Sequence, residues 1–150
     1  MMEENLSLGA NPWTARNRQR WWTVEQADVL VVEDRAAIRL LLQAGLGQAG
    51  LRVRTVGGAS AALRAIRAAV PDLVIADLVL ADGDGEGFIG ALRHDPGTRD
   101  LPVIVLSGLP GAAEIGLRAG ADECIPKPFD IAHLVCRVRF YVTTRSSAHV

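Results

Sequence analysis

Three short apolar runs constrain the fold more than any other feature of the sequence. They lie at residues 29–32, 72–76 and 102–106, and they are rich in valine, isoleucine and leucine. Runs of this length and composition are typical of strands that are buried on both faces of a sheet. Segments with apolar residues at helical spacing separate them. The chain therefore predicts parallel strands joined by helices, which is a three-layer α/β sandwich.

The other predicted elements complete a regular alternation of five strands and five helices. Two further strands are predicted at residues 51–56 and 122–125. Helices are predicted over residues 35–49, 59–69, 88–93, 112–119 and 130 to about 142. In parallel sheets of this type, ligands bind beyond the carboxyl ends of the strands. Polar residues at those ends are the first candidates for a functional site.

One folded domain is expected at residues 28–145, with a short tail at 146–150. Residues 1–27 differ in composition, because Trp13, Trp21 and Trp22 are the three tryptophans of the chain and lie there among arginines. We predict a loosely ordered extension. A docking element for a partner is the alternative interpretation.

The overall charge and the cysteines exclude several classes of protein. A net charge of -1 provides no general attraction to nucleic acid or to anionic lipid. The longest uncharged run, residues 101–113, contains two prolines and is too short to cross a bilayer. The first residues show no secretory signal pattern, so we expect a cytoplasmic protein. Cys124 and Cys136 are too few for a disulfide scaffold or a zinc site, and we expect two buried, reduced thiols.

Polar residues follow four of the five predicted strands. Because the strands are parallel, the side chains at their carboxyl ends should converge at one edge of the sheet. Each residue alone has an ordinary explanation, such as a helix cap or a solvated lysine. Their joint occurrence is far harder to explain in that way. The residues are Glu33 and Asp34 after the first strand, Asp77 after the third, Ser107 and Gly108 after the fourth, and Lys127 after the fifth.

This set of side chains suits phosphoryl chemistry. Three crowded carboxylates repel each other, and a hard divalent cation such as Mg²⁺ relieves the repulsion. An aspartate beside Mg²⁺ can attack phosphorus and form an acyl phosphate. A lysine ammonium and a serine hydroxyl can each pair with an oxygen of the phosphoryl group.

The same motifs resemble the receiver domain of two-component response regulators. They are Val-Leu-Val-Val-Glu-Asp ending at Asp34, Asp-Leu-Val-Ile-Ala-Asp ending at Asp77, Pro-Val-Ile-Val-Leu-Ser-Gly ending at Gly108, and the segment from Gly120 to Phe129 that contains Lys127-Pro128. The resemblance covers about residues 28–142. It implies a flavodoxin-like fold with strand order 2-1-3-4-5.

The resemblance also implies roles for individual residues. Asp77 would accept the phosphoryl group. Asp34, Asp77 and the backbone carbonyl of Val79 would bind Mg²⁺ directly, and Glu33 would act through water. The phosphoryl group would be bound by Ser107, Gly108 and Lys127, and the Lys127-Pro128 peptide would be cis.

The implied partners follow from the same resemblance. A sensor histidine kinase or a phosphotransfer protein would supply the phosphoryl group, and a downstream protein would read the switch. A homodimer would use the fourth helix, the fifth strand and the fifth helix. Such a domain is a signalling module, not an enzyme, and catalyses at most its own phosphorylation and dephosphorylation. Too few residues follow the last predicted helix for a DNA-binding helix-turn-helix, unless the chain was cut from a longer protein. We expect no direct contact with nucleic acid and none with a membrane.

The chain departs from the usual receiver pattern in three places, one of which is a pair of residues. Leu80-Ala81 stands where a Met-Pro pair is common, Gly108 replaces the usual alanine, and Cys124 replaces an aromatic residue. The predicted chemical site is complete, whereas the relay that carries the signal outward is altered. A receiver-like module that no longer depends on phosphorylation is therefore an alternative.

Two rival functions share parts of this pattern. A calcium-binding loop of the EF-hand type would begin at Asp82 and continue through Asp84, but its twelfth position is Arg93 instead of glutamate. An aspartyl-phosphate phosphatase of the haloacid dehalogenase type would need a second acid two residues after Asp77, where Val79 stands.

Overall fold

A computed structural model describes residues 27–148, and the side chains of residues 27–144. The predicted extension of residues 1–27, with its three tryptophans, lies outside the described residues except for Ala27. Residues 149 and 150 of the predicted tail lie outside them as well.

The central sheet has five parallel strands. They are β1 (Asp28–Val32), β2 (Arg52–Val56), β3 (Leu73–Ala76), β6 (Val103–Ser107) and β7 (Glu123–Pro126), while β4 (Val79–Leu80) and β5 (Gly83–Asp84) form a separate two-stranded sheet. The order in the central sheet is β2-β1-β3-β6-β7, which is the predicted order 2-1-3-4-5. All five carboxyl ends meet at one edge, with Val32 of β1 beside Ala76 of β3.

Five helices cover the two faces of this sheet, so the predicted three-layer architecture is confirmed. The helices are α1 (Ala36–Gln48), α2 (Ala59–Ala68), α3 (Gly85–His94), α4 (Ala112–Ala119) and α5 (Ile131–Ala148). One apolar core lies between the sheet and α1 and α5, and it contains Leu42, Leu46, Leu134 and Val138. The other lies beneath α2, α3 and α4.

The segment after β3 differs from the prediction. A loop was expected from residue 82 and a helix only from residue 88, but Val79–Leu80 (β4) and Gly83–Asp84 (β5) form a short antiparallel hairpin and α3 begins at Gly85. Asp84 starts the helix early because its carboxylate accepts a hydrogen bond from the backbone N–H of Gly87 at 2.8 Å. The glycines in this segment interrupt the apolar spacing that is typical of a helix, so the start of α3 is not visible in the sequence.

The hairpin also removes the calcium-loop alternative. The segment before it is a strand rather than a helix. Asp84 is engaged as the cap of α3, and both carboxylate oxygens of Asp82 accept backbone N–H groups of α2. The carboxylates that a calcium ion would need therefore have structural partners.

The last helix is capped as predicted but is longer than predicted. Asp130 accepts the backbone N–H of Ala132 at 3.0 Å. The helix continues past Val142 to Ala148 because no glycine or proline follows to end it. The expectation of two buried thiols is wrong for Cys136, which is exposed on α5, whereas Cys124 is partly buried. None of the helices in the described part of the chain is long and apolar enough to cross a membrane.

Candidate functional site

Three of the predicted carboxylates converge at the carboxyl edge of the sheet. Glu33 and Asp34 directly follow β1, and Asp77 directly follows the neighbouring strand β3. One carboxylate oxygen from each of the three residues lies within 4.8 Å of the others. The sheet order causes this convergence, because β1 and β3 are hydrogen-bonded neighbours in register at Val32 and Ala76.

The two acids after β1 have different surroundings. Glu33 is buried, with 2% of its surface exposed, and both of its oxygens are occupied. One oxygen accepts the backbone N–H of Arg35 at 3.0 Å, and the other accepts the Lys127 ammonium at 2.9 Å. Asp34 is exposed. Its carboxylate is therefore the more accessible to an ion that approaches from solvent.

Asp77 lies at the centre of the site and is 8% exposed. Its Oδ1 accepts the backbone N–H of Val79 at 3.0 Å, and its Oδ2 accepts the ammonium of Lys127 at 2.8 Å. The ammonium thus bridges Asp77 and Glu33. Partial burial by itself would lower the pKa of Lys127, but the hydrogen bonds and charges of these two carboxylates outweigh it and hold that pKa above its ordinary value.

The charges of the site fit a divalent cation. Three carboxylates face one ammonium, so the ionised cluster carries two negative charges in excess. The available donors are carboxylate oxygens, which are the ligands that Mg²⁺ prefers. A divalent ion beside Asp34 and Asp77 would neutralise the excess without displacing Lys127 from Glu33.

Ser107 and Gly108 border the site on the side of β6. Ser107 ends that strand and is 2% exposed, and its Oγ accepts the backbone N–H of Leu109 at 3.1 Å. Its carbonyl accepts the backbone N–H of Lys127, which links the ends of β6 and β7. The Lys127-Pro128 peptide is cis, as the resemblance implies. Gly108 is exposed, and a Cβ placed on it would lie 3.8 Å from the Cβ of Lys127.

Two apolar side chains stand at the entrance of the site. Val79 and Leu109 are 53% and 45% exposed. Both line an apolar surface cavity of about 260 Å³ between the β4–β5 hairpin and the segment that follows β6. Neither side chain can donate or accept a hydrogen bond. These two side chains therefore cannot orient a water molecule that approaches Asp77 past them.

Cys124 and its neighbour Glu123 point to opposite faces of β7. Cys124 packs against the core beneath α4, and burial raises the pKa of its thiol. Glu123 receives a bidentate ion pair from Arg137 of α5 and a hydrogen bond from the hydroxyl of Tyr141 at 2.8 Å. Burial alone would raise the pKa of Glu123, but these hydrogen bonds hold it below its ordinary value. The nearby ring of Phe140 is half exposed.

Asp82 is a neighbour of the site that has a structural role at a distant helix. It lies between β4 and β5, and its two oxygens accept the backbone N–H groups of Ala59 and Ser60 at the start of α2. A signal for this contact existed in the sequence, because Gly58 precedes the helix without a side chain that can cap it. Nothing in the sequence alone indicated which distant acid would take that place.

The chain is similar to proteins of one signalling family. The model of the family described as response regulator receiver domain matches residues 29–139. A curated relative from Escherichia coli (strain K12), the KDP operon transcriptional regulatory protein KdpE, is 39% identical over 122 residues, which are 80% of this chain and 53% of the relative. The phosphate regulon transcriptional regulatory protein PhoB of Klebsiella pneumoniae is 37% identical over 114 residues, which are 74% of this chain and 49% of the relative.

Solved structures agree with this similarity. A putative response regulator from Chloroflexus aurantiacus superimposes with a TM-score of 0.75 at 32% identity, covering 78% of this chain and 98% of the other. The chemotaxis response regulator CheY4 of Vibrio cholerae superimposes with a TM-score of 0.72 at 27% identity, covering 77% and 98% of the two chains. The chain spans about half the length of the curated relatives it matches.

Proposed function

Because this chain belongs to the response-regulator receiver-domain family, we propose that Asp77 accepts a phosphoryl group in a Mg²⁺-dependent reaction and that this modification switches protein contacts. The observation that carries the proposal is the convergence of Glu33, Asp34 and Asp77 within 4.8 Å, with Lys127 hydrogen-bonded between two of them.

Each residue of the site has a distinct role in this proposal. A carboxylate oxygen of Asp77 attacks phosphorus, a new O–P bond forms, and the bond from phosphorus to the donor breaks. Asp34, Asp77 and the carbonyl of Val79 would hold Mg²⁺, and Glu33 would act through water. The cation would screen the negative charges that meet when the phosphoryl group approaches.

The ammonium of Lys127 would change partners during this reaction. It donates to Oδ2 of Asp77, so an oxygen of the attached phosphoryl group would come within its reach. Ser107 would donate its hydroxyl to another phosphoryl oxygen, and the backbone at Gly108 would allow the adjustment. The segment that follows β6 would move with Ser107 and convert phosphorylation into a change of surface.

The partners belong to the same proposal. A sensor histidine kinase or a phosphotransfer protein would donate the phosphoryl group, and a downstream protein would recognise the switched state. Several curated relatives are named as transcriptional or DNA-binding regulators, and the region that matches this chain is about half of each of them. The net charge of -1 gives this domain itself no general attraction to DNA. We place its function in the cytoplasm, where histidine kinases present their phosphoryl groups.

A homodimer would use the surface of α4, β7 and α5. Leu117 of α4 and Phe140 of α5 are 52% and 50% exposed on this part of the molecule. Arg137 lies 4.7 Å from the centre of the Phe140 ring, so an apolar contact and a charged contact are adjacent. Exposed apolar side chains beside a charged group are typical of a surface that binds another protein.

One experiment tests the central proposal directly. Intact mass should increase by one phosphoryl group after the protein is incubated with acetyl phosphate and Mg²⁺. Asp77→Asn should remove this increase. Asp100→Asn is the control, since Asp100 is an exposed acid in the loop between α3 and β6, and this variant should retain the increase. Persistent labelling of Asp77→Asn protein would remove the proposal.

A second candidate function rests on Cys124. A receiver-like module that binds its partner without phosphorylation would not need an aromatic residue to move at this position, and the small, partly buried thiol has little surface to present. Amide chemical shifts before and after phosphorylation distinguish the two functions. We expect changes in the segments that follow β3 and β6, whereas a phosphorylation-independent module would show none beyond Asp77 itself.

A further inference from the structure

Helix α2 begins without a cap of its own. Its N-cap residue is Gly58, which has no side chain to accept the first backbone N–H groups of the helix. Asp82 supplies both acceptors from a distant segment. Its Oδ1 accepts the N–H of Ala59 at 2.9 Å, and its Oδ2 accepts the N–H of Ser60 at 3.0 Å. We call this pair of hydrogen bonds the Asp82 tether.

The tether is attached to the hairpin that borders Asp77. Asp82 lies in the turn between β4 and β5, and β4 begins with Val79. The backbone N–H of Val79 donates to Asp77, and its carbonyl is a proposed ligand of Mg²⁺. The hairpin therefore connects the phosphoacceptor at one end with the start of α2 at the other.

The other contacts of the hairpin hold it on its inner side, where the backbone N–H of Gly85 donates to the carbonyl of Leu78 at 2.8 Å. The hairpin contains only two residue pairs, and an isolated hairpin of that size is not stable in water. Leu80 anchors its inner side in the core, with 6% of its surface exposed. Val79 is 53% exposed, so its own side chain contributes little to the position of its backbone.

We propose that Asp82 is a positioning residue for the divalent cation, because its tether to α2 holds the β4–β5 hairpin where the carbonyl of Val79 can bind the ion. This inference rests on the proposed function. It adds a residue that touches neither the ion nor the phosphoryl group. Coupling between two sites is reciprocal, so bound Mg²⁺ should also stabilise the first turn of α2.

The charge of Asp82 supports the tether. The hydrogen bonds from the backbone of Ser60 and Ala59 lower the pKa of this exposed carboxyl, so it is ionised at neutral pH. An ionised carboxylate at the start of a helix also interacts favourably with the helix dipole.

Gly58 makes a selective test possible. A Cβ on Gly58 would lie 2.6 Å from Oδ1 of Asp82, so Gly58→Ser should displace the carboxylate. Serine is itself a good N-cap, and its hydroxyl would accept a backbone N–H of the first turn. Gly58→Ser should therefore break the tether and leave α2 capped. Asp82→Ala breaks the tether and leaves α2 without a cap.

The experiment compares Mg²⁺ affinity and amide hydrogen exchange in four proteins. They are the wild type, Asp82→Ala, Gly58→Ser and the control Asp95→Ala, which removes an exposed carboxylate that accepts a backbone N–H of Gly97 in a turn away from the site. Mg²⁺ is titrated and followed by amide chemical shifts. In the wild type, Mg²⁺ should slow the exchange of the Ala59 and Ser60 amides.

Both tether variants should bind Mg²⁺ more weakly. A helix cap contributes about 1 kcal/mol, which corresponds to about a fivefold change in an equilibrium constant. If the tether holds the binding-competent conformation with that free energy, its loss should raise the apparent dissociation constant for Mg²⁺ by up to about fivefold. Mg²⁺ should no longer slow exchange at Ala59 in either variant. The Asp95→Ala control should match the wild type.

The outcomes separate this inference from the proposed function. If wild-type protein binds Mg²⁺ and both tether variants bind it with unchanged affinity, Asp82 has no positioning role and the inference is wrong while the proposed function stands. If Asp82→Ala alone binds weakly, the loss comes from the uncapped helix and the inference is also wrong. If wild-type protein does not bind Mg²⁺, the proposed function fails and the inference fails with it.

Discussion

Arg93 provides a quantitative test of how the loops around the sheet are held. This residue of α3 has a side chain that is 21% exposed, and its guanidinium joins two separate loops. Nε donates to the carbonyl of Gly120 at 2.9 Å, and Nη1 donates to the carbonyls of Leu101 at 2.7 Å and Arg99 at 3.0 Å. Nη2 forms an ion pair with Asp122 at 3.2 Å. The single side chain thus replaces hydrogen bonds that these carbonyls would otherwise make with water.

The expected cost of Arg93→Met can be estimated from these contacts. The two short hydrogen bonds to Leu101 and Gly120 are partly buried, and each contributes about 1 to 1.5 kcal/mol. The ion pair adds at most about 0.5 kcal/mol, because the side chain of Asp122 is 41% exposed and its charge is screened by solvent. Methionine retains an apolar stem of similar shape, so packing changes little. We expect the free energy of unfolding to fall by about 3 kcal/mol.

Urea denaturation measures this change. The midpoint should fall while the slope of the transition is unchanged, because the same surface is exposed on unfolding. Arg99→Met is the matched control, since it removes the same charge from an exposed side chain nearby and should change stability by less than about 0.5 kcal/mol. A loss below about 1 kcal/mol for Arg93→Met would refute the reasoning, because water would then replace the guanidinium without cost.

Three further predictions concern the site and its surroundings. Asp34→Ala should weaken Mg²⁺ binding by about tenfold or more in a titration, because loss of a residue that only supports a ligand already costs about tenfold in metal affinity and Asp34 would be a direct ligand. The loss should exceed that of Glu33→Ala, and a larger loss for Glu33→Ala would mean that Glu33 is the direct ligand. The Val79→Asn, Leu109→Glu double variant should lose its phosphoryl group about tenfold faster or more after the donor is removed, because polar groups can then orient water; an unchanged decay would show that these residues do not determine the lifetime. The low pKa of Glu123 means that its ion pair contributes stability above the ordinary glutamate pKa of 4.5 and loses it as pH falls through the lower folded-state value. Urea midpoints of wild type and Glu123→Gln should therefore differ at pH 7 and converge in acid, and a constant difference would contradict the sign.

The five central strands and the edge at which the acids meet could be predicted from the sequence. Three of the strands are local apolar runs, β2 alternates apolar and polar residues, and most helices have their own period, so burial is encoded within a few neighbouring residues. Asp77 follows such a run directly and Lys127 follows the last strand, and the parallel pairing of the strands places their side chains at one edge. Knowledge of the receiver pattern added the strand order, which local periodicity does not contain.

Other features depend on contacts that have no local signal. The hairpin after β3 is too short to show a period, and its glycines conceal the start of α3. The exposure of Cys136 depends on which side of α5 faces the sheet. The partners of Arg93 lie on two different loops, and local sequence does not specify where those loops run.

The sequence alone thus determines which side chains are available at the sheet edge, because each strand and helix depends mainly on residues that are close together along the chain. Only the tertiary structure decides which of them touch. Lys127 reaches Glu33 across 94 residues, and Asp82 reaches Ala59 across 23. Such pairs form because packing of the helices brings two loops within about 3 Å of each other, the distance at which a hydrogen bond forms, and the path of each loop is set by the whole core.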